Sequence, residues 1–144
     1  MEHVGRLLKR IHMIMEYNFN TVVARYGLTT AQVDMLILMV RNRGKPMCQR
    51  EIEERLGLKN PTVTGTLKRL EAKGFIERVP LESDRRFNQI TPTAKAWELD
   101  AALLISIKAS ESQMTSGFSE EEHAALYGYL CRIIDNLTQQ GGQA

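Results

Sequence analysis

Apolar positions recur at helical spacing in most of the chain and alternate in only one short stretch. Residues 3–25 place Val4, Leu7, Leu8, Ile11, Ile14, Met15, Phe19 and Val22 on one broad stripe, which predicts a helix ending before Gly27. Thr29 with Gln32 has the spacing of a capping box and opens a helix carrying Val33, Leu36, Ile37 and Val40. Ile52, Arg55 and Leu56 mark a short helix that stops at Gly57. After the turn Leu58-Lys59, Asn60 is expected to cap the next helix and Pro61 to occupy its first position, where the missing N–H has no intrahelical use. Val63, Leu67 and Leu70 form that helix's inward stripe, and Gly74 ends it.

The period then changes. Phe75 to Val79 alternates loosely as a strand closed by Pro80, Phe87 to Ile90 makes a second strand, and Leu81 to Arg86 is the polar loop between them. Thr91-Pro92 is expected to open a long helix through Trp97, Leu99, Leu103 and Ile105 to about Met114. Ser119 with Glu122 forms a further capping box. Leu126, Leu130, Ile133, Ile134 and Leu137 stripe the last helix, and residues 141–144 are expected to be a disordered tail.

Two short helices followed by a hairpin describe a winged helix-turn-helix: a mainly α fold with a small β-hairpin wing. The second helix keeps Thr62, Gly65, Lys68, Arg69 and Ala72 opposite its apolar stripe, with Thr64 and Thr66 on the flanks. Small side chains let a backbone approach base edges in the major groove, hydroxyls bond bases or phosphates, and cations reach guanine or phosphate. An ordinary solvated helix face has a similar composition. The hairpin shifts the balance, because Asp84, Arg85 and Arg86 at its tip suit the narrow, strongly negative minor groove. A generic charged turn is the competing explanation for that tip.

Charge supports the nucleic-acid reading through its distribution. The formal net charge of the 144 residues is only +2, but residues 41–95 carry a net +6 and the remainder −4. A basic patch on an otherwise acidic chain turns that face toward phosphates. The longest apolar run, Met35 to Val40, is far short of the roughly 20 residues a membrane span needs. With no secretion-signal pattern at the N-terminus, a cytoplasmic location and no membrane partner are expected.

Cys48 and Cys131 are far apart in sequence, so no structural disulfide is expected. Cys48 is expected to be a small buried hydrophobe, with a reactive thiolate as the alternative because it lies near a helix start and Arg50. The histidines and cysteines lack metal-ligand spacing, so no metal and no cofactor is expected. No phosphate-cradling glycine loop, nucleophile motif or pair of catalytic acids is present, and an enzyme is not expected.

Residues 29–95 therefore read as the DNA-binding domain, and residues 1–25 and 96–140 as helical dimerisation elements. Those helices carry more apolar surface than one small winged domain needs, which implies a homodimer and, by two-fold symmetry, an inverted-repeat DNA site. A winged-helix module that binds another protein without specific DNA binding is the alternative.

The run TVTGTLKRLEAKGFIERV and the segment DRRFNQIT resemble the MarR (multiple antibiotic resistance regulator) family, and the order of helices extends the resemblance over nearly the whole chain. The resemblance implies a winged-helix dimer on pseudopalindromic promoter DNA, usually a repressor released by a small ligand or an oxidant. It places Thr62, Thr64, Thr66, Lys68 and Arg69 toward the major groove, with Asp84 as the wing's acidic anchor and Arg86 as its minor-groove arginine. The stretch from Asp84 to Thr91 is about two residues shorter than in many members, and Ala94 stands where glycine is frequent. An effector pocket, for a small aromatic or lipophilic compound, would involve His12, Met13, Tyr17, Met35, Met39 and Trp97.

Overall fold

A computed structural model describes residues 1–84 and 88–140. The helices are α1 (Val4–Arg25), α2 (Thr30–Arg41), α3 (Gln49–Leu56), α4 (Asn60–Ala72), α5 (Ala94–Met114) and α6 (Glu120–Gln140). The strands are β1 (Met47–Cys48), β2 (Ile76–Pro80) and β3 (Asn88–Pro92). The chain divides into two compact units, Met1–Ile107 and Lys108–Ala144. Among the described residues no helix is long and apolar enough to cross a membrane.

In the first unit the sheet order is β1-β3-β2, antiparallel throughout. Ile76 pairs with Pro92 and Pro80 with Asn88, which sets the hairpin register. The two-residue β1 adds Met47 opposite Ile90. Sequence periodicity did not predict it, because two residues cannot display a period.

The core collects Met35, Leu36 and Met39 of α2, Ile52 of α3, Val63, Leu67 and Leu70 of α4, Ile76 and Ile90 of the sheet, and Leu99 and Leu103 of α5. Burying each such side chain contributes roughly 1.5–3 kcal/mol relative to exposure. Phe75, 1% exposed, is the joint between α4 and the sheet. Its N–H donates to the Leu70 carbonyl at 3.0 Å, its own carbonyl accepts from the Thr93 N–H at 3.0 Å, and the Lys95 ammonium sits 4.6 Å from its ring centroid. The Lys73 ammonium, just past α4, donates to the Gly27 carbonyl and so ties this end of α4 to the α1–α2 turn.

Most predicted boundaries match the structure. Gly57 and Gly74 take left-handed φ of 63° and 78°, the conformation that closes α3 and α4 without a Cβ penalty. The Thr29–Gln32 capping box is complete, with the threonine hydroxyl accepting from the Gln32 backbone N–H and the Gln32 side-chain Oε1 accepting from the Thr29 N–H.

Two boundaries differ. Thr91-Pro92 ends β3 instead of opening α5; Thr93 takes the cap position, its carbonyl accepting from Ala96 and Trp97 while its hydroxyl holds the Gly74 carbonyl at 2.7 Å. Proline is tolerated in the middle strand because β1 reaches only Gln89 and Ile90, leaving the other side of β3 open at Pro92. Asn60 is the first residue of α4, not its cap; Lys59 occupies the cap position and offers no side-chain bond.

In the second unit Ser119 and Glu122 form the expected capping box, at 2.8 and 3.1 Å. Glu120, Glu121 and Glu122 occupy the first turn of α6, where the helix dipole favours acids. The expected tail at 141–144 lies outside the described residues.

Candidate nucleic-acid interface

The α3–α4 pair is set by a left-handed turn. The Leu58 N–H bonds the Glu53 carbonyl at 3.1 Å across Gly57, which brings the start of α4 beside α3. With Val63, Leu67 and Leu70 fully buried, the orientation of α4 is fixed, and Thr62, Thr64, Lys68, Arg69 and Ala72 are exposed. Gly65 is half-buried, and the Arg69 guanidinium lies back along the helix over it: a Cβ at residue 65 would meet the Arg69 Nη1 at 3.9 Å. The face is therefore small and polar at its N-terminal half and cationic at its C-terminal half.

Thr66 does not belong to this face. It is 8% exposed, and its hydroxyl donates to the Thr62 carbonyl at 2.9 Å. At about 100° per residue it lies some 40° from Leu70, on the core side of the helix, so the expected groove contact is corrected to a buried threonine satisfied by its own backbone.

The wing packs against the same helix. Arg78 of β2, itself half-buried, donates to the exposed Glu71 of α4 at 3.0 Å and ties the hairpin to the C-terminal turn of α4. Asp84 is half-buried on the loop beyond β2; Arg85 and Arg86 lie outside the described residues. The starts of α3 and α4 and the edge of the sheet bound a cleft of about 610 Å³ that includes Gln49, Arg50, Asn60, Thr64 and Arg78.

Within it the sequence reading missed a closed polar ring. Gln49 Nε2 donates to Glu53 Oε1 at 3.1 Å and to Thr64 Oγ1 at 2.7 Å, and Asn60 Nδ2 donates to the same Glu53 oxygen at 2.7 Å. Thr64 Oγ1 reaches Asn60 Oδ1 at 3.5 Å. The i, i+4 spacing of Gln49 and Glu53 was the available sequence signal. Cys48 is exposed at the cap position of α3, which rules against the buried-hydrophobe reading.

The six candidate effector residues do not converge. Met35 and Met39 are 0% exposed, because their spacing places them on the core stripe of α2 with Leu36 and Val40. His12 is on the exposed side of α1, 3.4 Å from Glu16. Met13 and Tyr17 line an open groove along α1 with Arg6, Lys9 and Ile14. The exposed Trp97 packs its ring against the left-handed Gly44, where a Cβ would approach Cζ2 to 2.8 Å.

Buried tri-helical packing with an antiparallel hairpin against the second helix of a tight pair defines a winged helix-turn-helix protein. The family model described as MarR family matches residues 26–86. The HTH-type transcriptional regulator PecS of Dickeya dadantii (strain 3937) is 31% identical over 132 residues, which cover 90% of this chain and 79% of PecS. The transcription regulator MarR from Oenococcus oeni PSU-1 is 33% identical, with 92% of this chain and 99% of that one covered and a TM-score of 0.58. The S. aureus MepR–DNA complex is similar in fold, with a TM-score of 0.83 at 24% identity over 92% of this chain and 98% of that one. The chain belongs to the MarR family.

Proposed function

We propose that this chain is a DNA-binding transcriptional regulator that acts as a homodimer on pseudopalindromic promoter DNA, as a repressor. The observation that carries the reading is the α4 face: Thr62, Thr64, Gly65, Lys68 and Arg69 lie outward on a helix anchored by three fully buried residues. That composition suits phosphate contacts for position and base-edge contacts for sequence. Asp84, Arg85 and Arg86 are assigned to the adjacent minor groove on their sequence alone.

Pairing is supported by apolar surface that each unit leaves uncovered. Val4, Leu7, Ile11 and Ile14 on α1 are 43–61% exposed, and among the described residues of α6 none is buried, although Leu126, Leu130, Ile134 and Leu137 share one stripe. Stripes of this size mark partner surfaces, and a second copy of this chain is the occupant proposed for each. Release by a small ligand or an oxidant is what the family implies; for a small aromatic or lipophilic effector, Met13 and Tyr17 are the two candidate side chains that share an exposed groove.

Enrichment of duplexes from a random-sequence pool tests the reading. The expected product is an inverted repeat with half-site centres about one helical turn, roughly 10 base pairs, apart. A pool that emerges without a shared motif would overturn it.

A further inference from the structure

The ring of Glu53, Gln49, Thr64 and Asn60 places an acid beside the face assigned to DNA, where a bare carboxylate would repel phosphate. We propose that Glu53 is a positioning residue that fixes the hydrogen-bond polarity of Gln49 and Asn60, making Gln49 a base-reading acceptor. The inference rests on the assignment of α4 to the major groove.

The chemistry is one of forced orientation. An ionised carboxylate only accepts, so an amide held against it must present its NH₂ end. Glu53 Oε1 receives Gln49 Nε2 at 3.1 Å and Asn60 Nδ2 at 2.7 Å. The second N–H of Gln49 goes to Thr64 Oγ1 at 2.7 Å, so both of its hydrogens are committed. What Gln49 has left is Oε1, an acceptor. In the major groove that oxygen suits the exocyclic amino group of adenine or cytosine and rejects the O6 of guanine and the O4 of thymine.

Asn60 and Thr64 are exposed, while Gln49 and Glu53 are half-buried, so the ring lies at the surface and Gln49 keeps part of its side chain accessible. Without the carboxylate, either amide can turn over and offer a donor or an acceptor. Glu53 thus acts on sequence choice through its neighbours, and its charge-assisted bonds are what hold them.

The test compares the parent with Glu53→Gln, which keeps shape and removes the enforced polarity. Each protein is titrated with the duplex enriched by the parent and with a scrambled duplex of equal length. Glu53→Gln should lower the preference for the enriched duplex about tenfold, the scale of one lost base discrimination. Its binding to scrambled DNA should be unchanged or tighter, because a negative charge has left the phosphate-facing surface. Its melting should remain within about 2 °C of the parent, as expected for a partly exposed polar exchange.

Gln49→Ala should lose preference similarly. In a Gln49→Ala, Asn60→Ala background the further change Glu53→Gln should leave the preference between the two duplexes unchanged, since no amide is left to orient. A preference that survives Glu53→Gln, or one that falls equally in that background, overturns the proposal while leaving the DNA-binding reading intact. A parent that fails to discriminate the two duplexes overturns both.

Discussion

Replacing Lys68, Arg69, Arg85 and Arg86 together with alanine is expected to lower specific DNA affinity by about a thousandfold or more and to leave the fold intact. Each cationic contact to guanine or phosphate is worth about 1–3 kcal/mol, and four at the lower end already amount to that factor. Lys68 and Arg69 are exposed, so exchanging either should change stability by no more than about 0.5 kcal/mol. The dependence of affinity on salt should flatten as well, by about one unit of slope for each phosphate contact removed. Fluorescence-anisotropy titration across salt, with thermal melting alongside, measures both. Retained affinity in a folded quadruple variant would move the contact surface away from α4 and the wing.

A second large effect is expected from α6. Leu130→Asp with Ile134→Asp puts two charges on a stripe that is 37% and 59% exposed at those positions in the single chain. The helix itself should persist, because neither side chain is in a core. Sedimentation should report a dimer for the parent and a monomer for the variant. Operator affinity should fall by about 10²- to 10⁴-fold, the gain that tethering a second reading head supplies. A parent that sediments as a monomer and binds its site as tightly as the variant would remove pairing from the account.

The sequence carried the helix ends and most of the reading head because these depend on local chemistry. Gly57 and Gly74 announce left-handed closures, and Thr29–Gln32 and Ser119–Glu122 announce caps, through bonds made within four residues. Where the structure departs, a tertiary bond wins over a local one. Asn60 has the chemistry of a cap but donates instead to Glu53 on the neighbouring helix. Thr91-Pro92 has the form of a helix start but is drawn into the register of β2.

The site residues divide in the same way. The exposure of Lys68 and Arg69 is legible from helical phase alone. Thr66 was misjudged by its polarity, although its spacing from Val63 and Leu70 already put it on the core side. Met35 and Met39 are expected at an effector pocket only through the family resemblance, whereas their position on the α2 stripe decides their burial. The Glu53 ring was illegible because it joins residues up to fifteen apart across a turn whose geometry fixes their approach.

The central claim, that the α4 and wing surface reads DNA sequence, is tested most directly by titrating the purified protein against its own upstream promoter duplex and a scrambled duplex of equal length across a range of salt. The account predicts tight binding to the promoter duplex, protection of two inverted half-sites, and a preference over the scramble that persists as salt rises. Equal, weak binding to both duplexes that vanishes with added salt would contradict it and leave a basic surface suited to a protein partner.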